Sequence, residues 1–172
     1  MARSDPTLAR EVVLALVVAE PRHGWALQRE LSPGGRIGRA WSLSRQLTYR
    51  AIDAIVEEGH ARRGPPRDGG GADRVTVSAT AGGRRHSRRW LDTPVAHLRD
   101  VRTELLVKLM LREQLGMDTA VFLAAQRDVF DPLITRLLSS TDGGVVATWR
   151  RENADAVRRF LDSVERQGAG RP

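Results

Sequence analysis

The 172-residue chain has no cysteine, a single lysine, one tyrosine and three phenylalanines. Without a thiol there is no disulfide framework, no thiolate zinc site, no iron–sulfur cluster and no cysteine nucleophile. Long hydrophobic runs are missing as well. The longest, Val12 to Ala19, falls far short of the roughly 18 apolar residues that a membrane span requires. The first residues, Met1-Ala2-Arg3-Ser4-Asp5-Pro6, place an acidic side chain and a proline before that short run. This does not suit a secretory signal, so a cytoplasmic location is expected. His23, His60, His86 and His97 never fall at ligand spacing with carboxylates, and no Ser/His/Asp set is recognisable. Gly69-Gly70-Gly71 leads into Ala72-Asp73-Arg74, not into the Gly-Lys-Ser/Thr that opens a phosphate-binding helix. The reading is therefore no enzyme, no metal site and no cofactor.

What is present is ordinary globular material: 41% hydrophobic and 28% charged residues, enough for one domain with a real core or two small ones sharing an interface. All basic residues but Lys108 are arginine. Residues 1–92 hold 16 arginines against 10 acidic residues, whereas 93–172 are nearly balanced, with 12 basic residues, Lys108 among them, against 11 acidic ones. Positive charge concentrated on one module most often meets polyphosphate, although an anionic membrane or plain solubility would also account for it.

The pattern of elements agrees with that division. Leu8 to Ala19 predicts a buried helix stopped at Pro21. A short second helix runs from Trp25 and closes at Ser32-Pro33-Gly34-Gly35. Leu43, Leu47, Ala51 and Ile55 recur at four-residue steps and define a third helix that Gly59 stops. Ala61–Gly64 and Arg74–Ser78 flank a Pro- and Gly-rich tip and read as a hairpin, the second arm alternating at period two. Thr80 is the expected N-cap of a helix ending at Trp90-Leu91, before Thr93-Pro94. Three helices followed by a two-stranded wing is the order of a winged helix-turn-helix, assigned here to residues 1–92. Residues 93–172 read as all helical: His97 to Leu115, a helix from the N-cap Asp118 to about Val129 that continues or restarts at Asp131-Pro132 and runs to Leu138, and Val145 to about Arg166. The fold class is mainly α.

A helix lying in a major groove needs short polar and forked cationic side chains near its N-terminal end. Ser44, Arg45, Gln46, Thr48, Tyr49 and Arg50 on the third helix meet that need. Alone they read first as the solvated face of an amphipathic helix; their place before a basic hairpin reverses that preference in favour of DNA. Arg62, Arg63, Arg67 and Arg74 lie where a wing would straddle a backbone, or where a flexible surface turn would simply be soluble. On the last helix Val146, Trp149, Val157, Phe160, Leu161 and Val164 share one face, expected to be buried by a homodimer. Trp90 and Trp149 admit two readings: packing in a core or interface, or a slot for a planar aromatic ligand.

Four blocks in order carry a resemblance. Pro21-Arg22-His23-Gly24-Trp25-Ala26-Leu27 resembles the proline, His-Gly-aromatic and leucine signature of the PadR family of bacterial transcriptional regulators. Tyr49-Arg50-Ala51-Ile52-Asp53 with Glu57-Glu58-Gly59 is similar to that family's recognition-helix segment. Thr80-Ala81-Gly82-Gly83-Arg84, closing at Trp90-Leu91, resembles its Thr-x-x-Gly-Arg helix after the wing. Glu104-Leu105-Leu106-Val107-Lys108-Leu109-Met110-Leu111 resembles the block that opens its C-terminal helical domain. The likeness spans about residues 8–166. Trp25 stands where tyrosine is usual, His60 stands where an apolar residue usually follows the glycine, and the wing tip is unusually rich in Pro and Gly. The resemblance implies a homodimer, made by the C-terminal helices, that binds double-stranded DNA, usually as a repressor, with a small, often aromatic or drug-like effector releasing the DNA; the reading is therefore a dimeric regulator of an inverted-repeat operator, with a small planar aromatic ligand as its candidate effector. The competing expectation is a winged-helix module that binds protein instead; steep salt-dependent duplex binding separates the two.

Overall fold

The structure, a computed structural model, describes residues 5–65 and 75–169. Helix α1 (Pro6–Ala19) starts on Asp5, whose side chain accepts from the Thr7 amide at 2.8 Å, with proline in the first turn, where no amide hydrogen is needed. Almost every residue from Leu8 to Val17 is buried, so α1 is the central rod of the N-terminal half rather than a helix with a wet face. Strand β1 (Arg22–His23) leads directly into α2 (Gly24–Leu31). Helix α3 (Arg45–Glu57) begins at Ser44, whose hydroxyl accepts from the Leu47 amide. It ends where Gly59 turns at φ +73°, the left-handed conformation that glycine adopts without a Cβ penalty.

Strands β2 (Ala61–Arg63) and β3 (Thr76–Ala79) pair antiparallel with Ala61 opposite Ala79, which is the expected wing. The sheet has a third strand that the sequence pattern did not announce. β1 pairs with β3, Arg22 opposite Val77, giving the order β1-β3-β2. Helix α4 (Ala81–Asp92) is capped by Thr80, which accepts from the Gly83 amide at 3.0 Å and donates to the Gly59 carbonyl at 2.9 Å. A Cβ on Gly83 would lie 2.0 Å from the His60 carbonyl oxygen. Only glycine lets α4 close on the wing root.

The chain then passes through a 3₁₀ turn (Leu98–Asp100) and a π turn (Val101–Leu105) into α5 (Leu106–Gln114), in place of one regular helix from His97. Helix α6 (Thr119–Ser139) starts on Asp118 and runs through Pro132 without a break; α7 (Val145–Ala169) follows. Two apolar cores result. The first joins α1, α2, α3, the sheet and α4 with Val107 and Leu111 of α5. The second joins Val95, Val101 and Leu105 to α6 and α7. The molecule is a winged helix-turn-helix followed by a helical half, and α5 belongs to both cores. Among the described residues no helix is long and apolar enough to cross a membrane.

Candidate nucleic-acid interface

Helix α3 buries Thr48, Ala51, Ile52 and Ile55. What it presents outward follows from that stripe: Arg45, Gln46, Arg50 and Asp53 are exposed, and Tyr49 is half-buried beside them. Thr48 therefore leaves the expected set of DNA-reading residues. It is 0% exposed and its hydroxyl donates back to the Ser44 carbonyl at 3.0 Å, because it falls on the core side of the stripe one turn after the cap. Ser44 is exposed, but its hydroxyl oxygen is occupied as the cap.

Tyr49 is positioned from two sides. The Arg45 guanidinium stands 5.6 Å over its ring, and the ring lies against the start of α2, where a Cβ on Gly24 would come within 3.0 Å of it. Gly24 thus brings the first turn of α2 to the edge of the α3 face. That turn carries Trp25, 48% exposed, with the Arg29 guanidinium 5.4 Å from its ring centre. Trp25 is a site candidate that sequence reasoning passed over, although the His-Gly-aromatic block contained it.

Asp53 would set a negative charge on the same face. Arg63 of β2 pairs with it and ties the wing to α3. Arg50 and Arg62 are exposed and make no ion pair among the described residues. Arg67 and Arg74, the two further wing arginines expected to meet DNA, lie outside the described residues. The wing root is held by His60, whose ring stacks on His86 of α4 at 4.4 Å; His86 in turn lies 2.7 Å from a Glu11 carboxylate oxygen.

The two tryptophans proposed for a ligand slot differ. Trp90 is half-buried and the Lys108 ammonium sits 4.9 Å over its ring, filling that face from within. Lys108 is itself buried, bonded to the Thr93 carbonyl and to Glu104 at 2.8 Å each. Burial pushes its pKa down, and the Glu104 carboxylate only partly offsets this. Trp149 is 68% exposed.

The apolar face expected on α7 is divided. Val157 and Leu161 are buried in the chain's own second core, because α6 pairs with this stretch of α7. Phe160 and Val164 line a groove of about 1130 Å³ between α5, α6 and α7, which Leu106, Leu109 and Leu123 also face. Val146 and Trp149 stand beyond the paired stretch, exposed together with Val145 and Leu138. Among the described residues no three His, Asp or Glu side chains converge as metal ligands would.

No protein-family model matches the chain, and no curated protein does. Among solved structures, the chain is similar to Bacillus subtilis PadR in complex with operator DNA, at 15% identity and a TM-score of 0.47. The match covers 90% of this chain and 94% of that one.

Proposed function

We propose that this protein is a homodimeric DNA-binding transcriptional regulator, a repressor acting at an inverted-repeat operator. The observation that carries the reading is the outer face of α3, where Arg45, Gln46 and Arg50 are exposed beside a wing strand that bears Arg62 and Arg63. Forked guanidinium groups and a carboxamide are the side chains that pair with guanine and adenine edges in a major groove. Asp53, the one acid among them, is neutralised by Arg63. The four sequence blocks that resemble the PadR family support the same reading. Arg67 and Arg74 serve as backbone contacts at the wing.

The dimer forms through α7 and the groove beneath it, covering Val146, Trp149, Phe160 and Val164. Two-fold symmetry then sets two recognition helices about 34 Å apart on one side of the duplex. A planar aromatic effector would enter the dimer seam beside Trp149, displacing the partner's cover, sooner than stack on Trp90, whose face already holds Lys108. It would release DNA by favouring a dimer geometry that misplaces the wings. The protein is cytoplasmic and has no catalytic role.

The test is selection from a random duplex library followed by mobility-shift titration. Arg50→Ala, and Arg45→Ala with Gln46→Ala, should each cost about 1–3 kcal/mol per lost contact in each subunit. Circular dichroism should stay unchanged. Unaltered affinity in these variants refutes the placement of the recognition face. Failure to select any duplex favours the protein-binding module.

A further inference from the structure

The segment joining the winged half to the helical half, Leu91–Val95, would ordinarily be the hinge of such a molecule. Its backbone is instead held by side chains. Gln126 of α6, 0% exposed, accepts from the Val95 amide at 2.7 Å and donates to the Val95 carbonyl at 2.8 Å, pairing with that residue as a neighbouring strand would. Lys108 of α5 donates to the Thr93 carbonyl at 2.8 Å. Arg112, 3% exposed, donates through Nη1 to the Leu91 carbonyl at 3.1 Å and to Asp92 at 2.8 Å, and its Nη2 reaches the Asp118 carbonyl at the start of α6.

Leu91, Val95 and the three side chains that hold the connector are buried, so bending it leaves several polar groups unpaired inside the protein, which is costly for each group. The bonds also converge from two helices on four of the five connector residues, so the winged half follows α5 and α6 as one body.

The geometry points to Gln126, Lys108 and Arg112 as positioning residues that lock the winged half onto the helical half and thereby fix the half-site spacing the dimer accepts. This rests on the DNA-binding dimer proposed above. A clamped connector leaves the dimer interface as the place where spacing can change. An effector would then act by shifting one protomer against its partner and not by bending each protomer.

Gln126→Leu removes both Val95 bonds while keeping an apolar side chain of similar size. Two measurements on the full chain separate the clamp from the DNA reading. In hydrogen exchange, the Val95 amide should be protected in the wild type and should exchange at least about tenfold faster in Gln126→Leu. In binding to operators with one base pair added or removed between half-sites, which turns one half-site by about 35°, the wild type should lose at least about tenfold in affinity. Gln126→Leu should lose less than about threefold on the same series. Lys108→Met, which frees the Thr93 carbonyl and leaves Gln126 in place, should show an intermediate tolerance and takes the place of Gln126→Leu if that variant does not fold.

An unprotected Val95 amide in the wild type overturns the clamp whatever the DNA result. A lower melting temperature with spacing discrimination unchanged overturns the positioning role and leaves Gln126 a merely structural residue. A protected amide in a protein that binds no duplex overturns the functional reading and, with it, the claim about spacing, while the clamp itself stands.

Discussion

The two halves of the molecule finish their cores differently. In the winged half α1 is surrounded, and α2, α3, the sheet, α4 and two side chains of α5 close over it. Among its described residues, Trp25 is the one large apolar side chain left exposed. In the helical half α6 and α7 close on each other only along part of their length. Val145, Val146 and Trp149 remain 84%, 59% and 68% exposed at one end of that hairpin, and an apolar groove stays open along the other. A half that satisfies itself can devote its surface to a charged ligand. The half that leaves large apolar side chains in water is the one on which the proposed dimer draws.

The largest expected effect tests whether the winged half stands on its own core. Leu16 is completely buried on α1, and Leu16→Ala should cost about 2–5 kcal/mol through lost contacts and the cavity left behind. Chemical denaturation measures this, and the loss should be the same at high and low protein concentration if the core belongs to each protomer separately. A concentration-dependent loss would break the contrast between the halves.

The converse change belongs to the helical half. Val146→Ser with Trp149→Ser removes exposed apolar surface, so the monomer should fold unchanged while association weakens by about 2 kcal/mol or more, near thirtyfold in the dimer dissociation constant. Analytical ultracentrifugation across a concentration series reads it. Equal association in the variant and the wild type would mean that the groove by α5, and not the α7 tip, is the surface that is covered.

Smaller is the effect at the wing root, where Thr80 caps α4 and donates to the turn after α3. Thr80→Ala should cost about 1 kcal/mol. It should also speed amide exchange at Gly83 and His60 more than anywhere in α6. If α6 responds equally, the two cores unfold as one.

Much of this contrast is legible in the sequence, and its failures have physical causes. The stripe Leu43, Leu47, Ala51 and Ile55, with Gly59 after it, places α3 to within about two residues at each end, because a four-residue step and a glycine stop are local signals, whereas Ser44, expected among the base-reading residues, is the N-cap. Thr80 and Asp118 were readable as caps for the same reason. Strand β1 was not, since two residues cannot display a period and only pairing with β3 makes them a strand. Thr48 was placed on the wrong side because hydroxyl chemistry was weighed above its position one residue after Leu47. On α7 the apolar residues recur at helical spacing, but periodicity says nothing of how far a neighbouring helix extends along them. Hence Leu161 and Trp149 were grouped although one is buried and the other exposed. The clamp on Leu91–Val95 was equally hidden, because Gln126 meets Val95 across 31 positions.

The smallest expected effect concerns the ion pairs that hold α6 to α7. Arg127 donates to Glu165 through Nε at 2.8 Å and through Nη2 at 2.9 Å, and Nη2 also reaches Asp162 at 2.5 Å. The bond from Arg127 holds the Glu165 pKa below its ordinary value of 4.5, outweighing the opposing effect of burial. A carboxylate whose folded-state pKa is depressed binds protons more weakly than in the unfolded chain. Its contribution is therefore complete above the ordinary value and is lost as the pH falls through the folded one. Because the Glu165 side chain is 40% exposed, solvent screens much of the attraction, and the contribution is less than about 1 kcal/mol. Thermal melts followed by tryptophan fluorescence at about pH 7 and about pH 4 should show the wild type losing more than Glu165→Gln, with the two converging in acid. Parallel pH profiles for both proteins would assign acid sensitivity elsewhere and remove Arg127 from the groups that join the helical hairpin.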